Sequence, residues 1–173
     1  MIIKTHTEIT HLKNTIILNA SKTHEQLKSN AERMTPLSLL EKIKFSQFGF
    51  DPIKGTELNF VEQLNQMFSD LVVLEGAEQL LSQHPGKAFQ LNLGPRSGFD
   101  IESIDGDIVA ECFAVTTATS NNKLQKDSVK LLTNAPSQQK YIFFYSHNDS
   151  DEKLQKIFSK YPNITFRRIH KLT

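Results

Sequence analysis

The chain has almost no cysteine, no tryptophan and no excess of either charge. Its one cysteine, Cys112, excludes an internal disulfide framework and suits a reducing compartment. Twenty basic residues stand against 19 acidic ones, a formal net charge of +1. So neutral a chain has no global field to attract nucleic acid, and any basic surface must come from local clustering. No apolar run approaches the roughly 18 residues that a membrane span needs, so no membrane is expected. The opening "MIIKTHTEITHLKNT" lacks an apolar signal core and a small-residue cleavage site, which predicts a cytoplasmic protein. There is no Gly-rich phosphate loop after a strand and no nucleophile elbow, which argues against a small-molecule α/β enzyme. The six histidines are scattered singly, without metal-ligand spacing.

What is present is enough chain for one compact domain. At 173 residues it can bury about 70% of the surface that the unfolded chain exposes. Residues 1–55 read as a mainly helical extension. Within them "TIILNA" fits either a strand or a first helix, and residues 21–34 fit an exposed helix. "TPLSLLEKIKFSQF" starts a helix, with Thr35 as N-cap and Pro36 at the first helical position. Leu37, Leu40, Ile43 and Phe48 make its apolar stripe. "GFDPIKG" reads as a loop.

Residues 56–173 carry the clearer pattern. Asn59 and Glu62 stand at capping-box spacing before a helix with Phe60, Leu64, Met67, Phe68 and Leu71 on one face. A break near Gly76 is expected. After Gly86 the period changes from 3.6 to 2: "KAFQLNL", "FDIESI" and "DIVAECFAVT" read as strands. The last two are joined through Asp105-Gly106, a strong hairpin turn. Then come an amphipathic helix, "SNNKLQKDSVKLLTNAP", and a buried strand, "KYIFFYS". A second short helix with acids in its first turn follows, and "NITFRRIHKLT" is a closing strand. The order predicts an α/β (α+β) mixed sheet: helix, three-stranded meander, helix, strand, helix, strand.

The hairpin raises a chemical question. A turn centred between residues 105 and 106 sets Asp100 opposite Glu111. Like charges directly opposed on two strands cost about 0.2–1 kcal/mol, and more where the dielectric is low. A divalent cation relieves the cost, since Mg²⁺ takes one or two carboxylates plus water and phosphate. Glu62 or the Cys112 carbonyl would add a third oxygen. The bland alternative is a wet strand edge, with Glu111 paired to Lys123 or Lys130. Lys123, Lys126 and Lys130 share a helix face that suits either phosphate or solvent. Arg167, Arg168, His170 and Lys171 form a basic tail with the same two readings. "GPRSG" reads as a connector, and Cys112 as a buried thiol.

The run "GFDIES-IDGD-IVAECFAVT", followed by "NNKLQKDSVKLL", resembles the PD-(D/E)XK nuclease superfamily, with its restriction-endonuclease-like core. The resemblance covers about half the chain. It implies Asp100 and Glu111 as the two catalytic, metal-holding acids, with Glu62 as an accessory metal ligand. It further implies Mg²⁺ or Mn²⁺ as cofactor and DNA as partner. Lys123, Lys126 and Lys130, with Arg167 and Arg168, would contact the nucleic acid. One departure is plain: the family's lysine, two residues after the second acid, falls on Phe113. Either a helix lysine, Lys123, Lys126 or Lys130, reaches over in its place, Lys126 or Lys123 being the first choice for a Mg²⁺-dependent DNA endonuclease, or the fold has lost cleavage and binds DNA or a partner protein. Many proteins of this fold act as dimers, so a homodimer stays open.

Overall fold

The structure is a computed structural model that describes residues 1–136 and 138–172. Helix α1 (His6–Ala31) opens on a capping box: Thr5 accepts from the Glu8 N–H, and the Glu8 carboxylate accepts from the Thr5 N–H. Ile9, Leu12 and Ile16 form its buried stripe, so "TIILNA" is the middle of this helix and residues 21–31 are its second half. Asn19 and Thr23 extend the stripe in polar form. Thr23 donates to the Gln63 side chain at 2.7 Å.

Helix α2 (Pro36–Phe45) starts where the sequence sets it, with Thr35 accepting from the Ser38 N–H. Its stripe is not buried, however: Leu37 is 76% and Leu40 62% exposed, and only Phe48, beyond the helix, is in the interior. The apolar cluster over that face of the sheet is filled from α1 and the helix that follows, so α2 has no core left to face. "GFDPIKG" proves to be the turn of a small hairpin between β2 (Gly49–Phe50) and β3 (Glu57–Leu58). Residues 55 and 56, the expected border between extension and core, lie inside that hairpin.

Helix α3 (Phe60–Gln83) is capped by Asn59, whose side chain accepts from the Val61 N–H. It runs unbroken through Gly76, against expectation. Gly76 is there for closeness: an added Cβ would lie 2.7 Å from the Phe143 ring. The helix can therefore lie close on the sheet at that point.

The sheet has the order β1-β4-β5-β6-β7-β8. Its strands are β1 (Ile2–Ile3), β4 (Phe89–Leu91), β5 (Ile101–Ser103), β6 (Ile108–Val115), β7 (Gln139–Ser146) and β8 (Thr165–Ile169). β1, β4, β5 and β6 pair antiparallel, while β6, β7 and β8 run parallel. Helices α4 (Lys123–Asn134) and α5 (Asp151–Phe158) make the two parallel crossovers. The mixed sheet and element order are those read from residue 59 onward. β6 alternates between two apolar layers. Ile108, Ala110 and Cys112 join α1 and α3, while Val109 and Phe113 join α4 and α5. Among the described residues no helix is long and apolar enough to cross a membrane.

Candidate functional site

The register of the β5–β6 hairpin pairs Ile101 with Ala110 and Glu102 with Val109. One step further it sets Asp100 against Glu111, as the turn arithmetic required. Gly106 sits in the left-handed region at φ 77°, which the tight turn needs. Just before β5, the loop of residues 94–98 is fastened from two sides. Its Gly94 N–H donates to Asp70 of α3 at 2.9 Å. The Asn92 side chain donates to the Phe99 carbonyl at 2.6 Å. Asp100 is thereby held at the mouth of β5, where its carboxylate accepts from the Cys112 N–H at 2.7 Å.

Glu111 is the one charged residue within β6, and it is only 2% exposed. Its counter-ion comes from α4. Lys130 Nζ lies 2.6 Å from Glu111 Oε1. The ion contact lacks hydrogen-bond angles, so that oxygen has no hydrogen-bond donor. The Lys130 ammonium also donates to the Gly98 carbonyl at 2.6 Å and sits over the Phe99 ring. One lysine thus ties helix, loop and strand together.

About two turns earlier, Lys123 pairs with Asp127 at 2.8 Å. Lys123 can begin α4 here because Asn121 and Asn122 both adopt positive φ, 53° and 55°, which asparagine tolerates better than most side chains. Its ammonium lies 5.8 Å from the centre of the Phe113 ring. Phe113 itself is buried and stacks on Phe144 at 5.8 Å. Where the resemblance expects a lysine there is an apolar wall, and a helix lysine stands over it.

The electrostatics follow from crowding acids in a dry place. Burial, and then the Asp100 charge, push the Glu111 carboxyl up to about 7, with Lys130 pulling the other way. Burial raises Asp100 too, opposed by the Cys112 N–H and by Lys123 and Lys130. Asp127 is raised by burial against the pull of Lys123. The Cys112 thiol is driven far up by burial and by Asp100 and Glu111, so it is no nucleophile.

The helix acid beside this centre is Asp70, not Glu62. Glu62 is exposed in the first turn of α3. Asp70, two turns on, is 3% exposed and shares a cavity of about 220 Å³ with Asp100 and Cys112. Burial raises its carboxyl to about 6, and the Asp51 and Asp100 charges add to the rise, against the Gly94 hydrogen bond. A sequence signal existed: Gln63, Asp70 and Ala77 recur every seven residues on the buried face of α3. An acid at such a position has to be explained.

The remaining candidates separate. Lys126 is exposed at the rim of α4, and Arg167 is exposed on β8. Arg168 is turned inward, donating to the Ser146 and Asp149 carbonyls at 2.9 and 3.1 Å. It fastens the ends of β7 and β8. Among the described residues, no three histidine, cysteine, aspartate or glutamate side chains gather in a metal-ligand cluster. The two acids that the hairpin register sets against each other are Asp100 and Glu111.

No family model matches the chain. Neither a curated protein nor a solved structure is significantly similar to it. Any functional reading therefore rests on the residues just described.

Proposed function

We propose that Asp100 and Glu111 hold a divalent cation, Mg²⁺ or Mn²⁺, and that the protein hydrolyses phosphodiester bonds in DNA. The observation that carries this reading is the opposed acid pair, Glu111 buried and Asp100 half-buried, with Lys130 of α4 in contact with Glu111. Two carboxylates set against each other, one of them buried and raised by the charge of the other, form a donor set that a hard cation satisfies. Two protein carboxylates suffice for Mg²⁺ when water and phosphate oxygens complete its shell. The order of helix, meander, helix and strand supports the resemblance to the restriction-endonuclease-like core.

The bound cation would supply an activated water and offset charge on the scissile phosphate. Within the chain, Lys130 takes the role that the resemblance gives to a strand lysine. Its ammonium is fixed by Glu111 and Gly98, so it can stabilise a nearby phosphate without costly reorganisation. Lys123 offers a second cation on the same helix. Asp70 holds the loop of residues 94–98 through Gly94 and thereby orients Asp100. Phe113 and Phe144 keep water from the far side of Glu111.

The test is metal-dependent nicking of plasmid, with single-stranded and branched DNA as further substrates. Asp100→Ala and Glu111→Ala are each expected to abolish it, and Lys130→Ala to lower it by about 10²-fold or more, the scale of one lost electrostatic contact. Wild-type protein inert on all three substrates with Mg²⁺ and Mn²⁺ refutes the reading.

A second reading is favoured by Phe113 and by the engagement of both helix lysines with acids of this chain. In it the fold binds DNA or a partner protein and does not cut. Salt-dependent DNA binding that is indifferent to metal, with no cleavage, would select it.

A further inference from the structure

The three parallel strands end together. Val115 of β6 pairs with Ser146 of β7, and Tyr145 of β7 pairs with Ile169 of β8. Beyond these ends, on the α3 side of the sheet, lies a cavity of about 530 Å³. Open α/β sheets commonly take their ligands in the crevice outside the carboxyl ends of the strands.

The lining is unlike that of the acid centre next to it. It contains no aspartate and no glutamate. Phe68 of α3 and Tyr145 of β7 bring aromatic rings from two walls. His147 follows β7 directly, and His170 and Lys171 follow β8 directly, so three nitrogen-bearing side chains gather at one rim. Among the described residues, no hydrogen bond or ion pair engages the side chains of His147, His170 or Lys171. Asn65 supplies an amide, a side chain able to pair with a base edge.

The cavity also adjoins the one that Asp100 lines. Asn65 lines both this cavity and the one that holds Asp100, Asp70 and Cys112. Ala114, in its wall, is two residues beyond Cys112 on the same face of β6, about 7 Å along the strand. Asp100, which lines the neighbouring cavity on this face, is the member of the acid pair nearest to these rings and nitrogen-bearing side chains.

We propose that this cavity is a nucleotide subsite for single-stranded DNA. It holds one base against Phe68 and Tyr145, and the adjoining phosphate against His147, His170 and Lys171. Its place along a substrate rests on the phosphodiester reading of the acid centre; its binding of a strand does not. Stacking of a base on an aromatic side chain suits any sequence, so the subsite favours an unpaired strand over a duplex.

The test is fluorescence anisotropy of a labelled single-stranded oligonucleotide, in EDTA at low salt. The full-length protein is compared with Phe68→Ala, His170→Ala/Lys171→Ala and Lys171→Glu, each checked for fold by far-UV circular dichroism. The single strand is expected to bind tighter than a blunt duplex. The Phe68, His170/Lys171 and Lys171 variants should each weaken binding about tenfold or more, on the scale of one lost stacked base. Equal affinity for strand and duplex, no binding, or binding unchanged in the three cavity variants overturns the subsite. So does a mononucleotide that binds as tightly as the oligonucleotide. Failure of the acid centre looks different: the strand binds through the cavity, yet no metal produces cleavage.

Discussion

Replacing Glu111 by glutamine should make the protein more stable at alkaline pH. The carboxylate is almost wholly buried, and burial together with Asp100 raises it from 4.5 to about 7. A gap of that size corresponds to roughly 3 kcal/mol at most. Between pH 4.5 and 7 the folded state holds a proton that the unfolded state has released. Stability therefore falls as pH rises through that window, and the loss is complete above pH 7. Glutamine removes the charge and keeps the shape. Lys130 loses one partner but keeps the Gly98 carbonyl and stays partly in water. The net gain at pH 8 should be about 1–3 kcal/mol, or roughly 3–10 °C in Tm for a chain of this size. With no tryptophan and three tyrosines, thermal unfolding is best followed by circular dichroism. The gain should shrink to nothing about one pH unit below 4.5, where wild-type Glu111 is neutral in both states. A variant less stable than wild type by the same amount at pH 5 and pH 8 would refute the reasoning.

Other perturbations follow from the same geometry. Asp70→Asn should also stabilise at pH 8, the benefit fading as pH falls from about 6 to 4 in the same unfolding assay. Gly76→Ala should cost about 1–3 kcal/mol in urea unfolding, because its methyl would strike the Phe143 ring. Phe113→Lys should not restore a nuclease lysine; it buries an ammonium against Phe144 and should cost several kcal/mol in the same assay, about 3 or more. Lys126→Ala, on the exposed rim, should change stability by no more than about 0.5 kcal/mol.

The hairpin register was readable because Asp105-Gly106 fixes the turn, and every pair in a two-residue repeat follows from it. The parallel strand β7 was readable from its unbroken apolar run, and the two faces of β6 from simple alternation. Three features were not. The α2 stripe has helical period, but periodicity does not say whether a partner surface is free; α1 and α3 had taken it. Gly76 looked like a helix breaker because sequence cannot show the ring of Phe143, 67 residues away, pressing on its backbone. Glu62 stands out in the sequence because a first-turn acid matches a cap, while the depth of Asp70 depends on how α3 lies over the sheet. That a lysine of α4 pairs with Glu111 was readable as one of two options, Lys123 or Lys130. Which one reaches Glu111 depends on the helix's rotation, set by the two left-handed asparagines before Lys123 and by burial of Leu124 and Leu131.

The central claim is that Asp100 and Glu111 face each other in order to share a cation. Calorimetric titration of Mn²⁺ into the full-length protein at pH 8, beside Asp100→Asn and Glu111→Gln, tests it most directly. One saturable site in the wild type, lost in both variants, is the expected result. No saturable binding in the wild type, or the same binding in all three proteins, would contradict it.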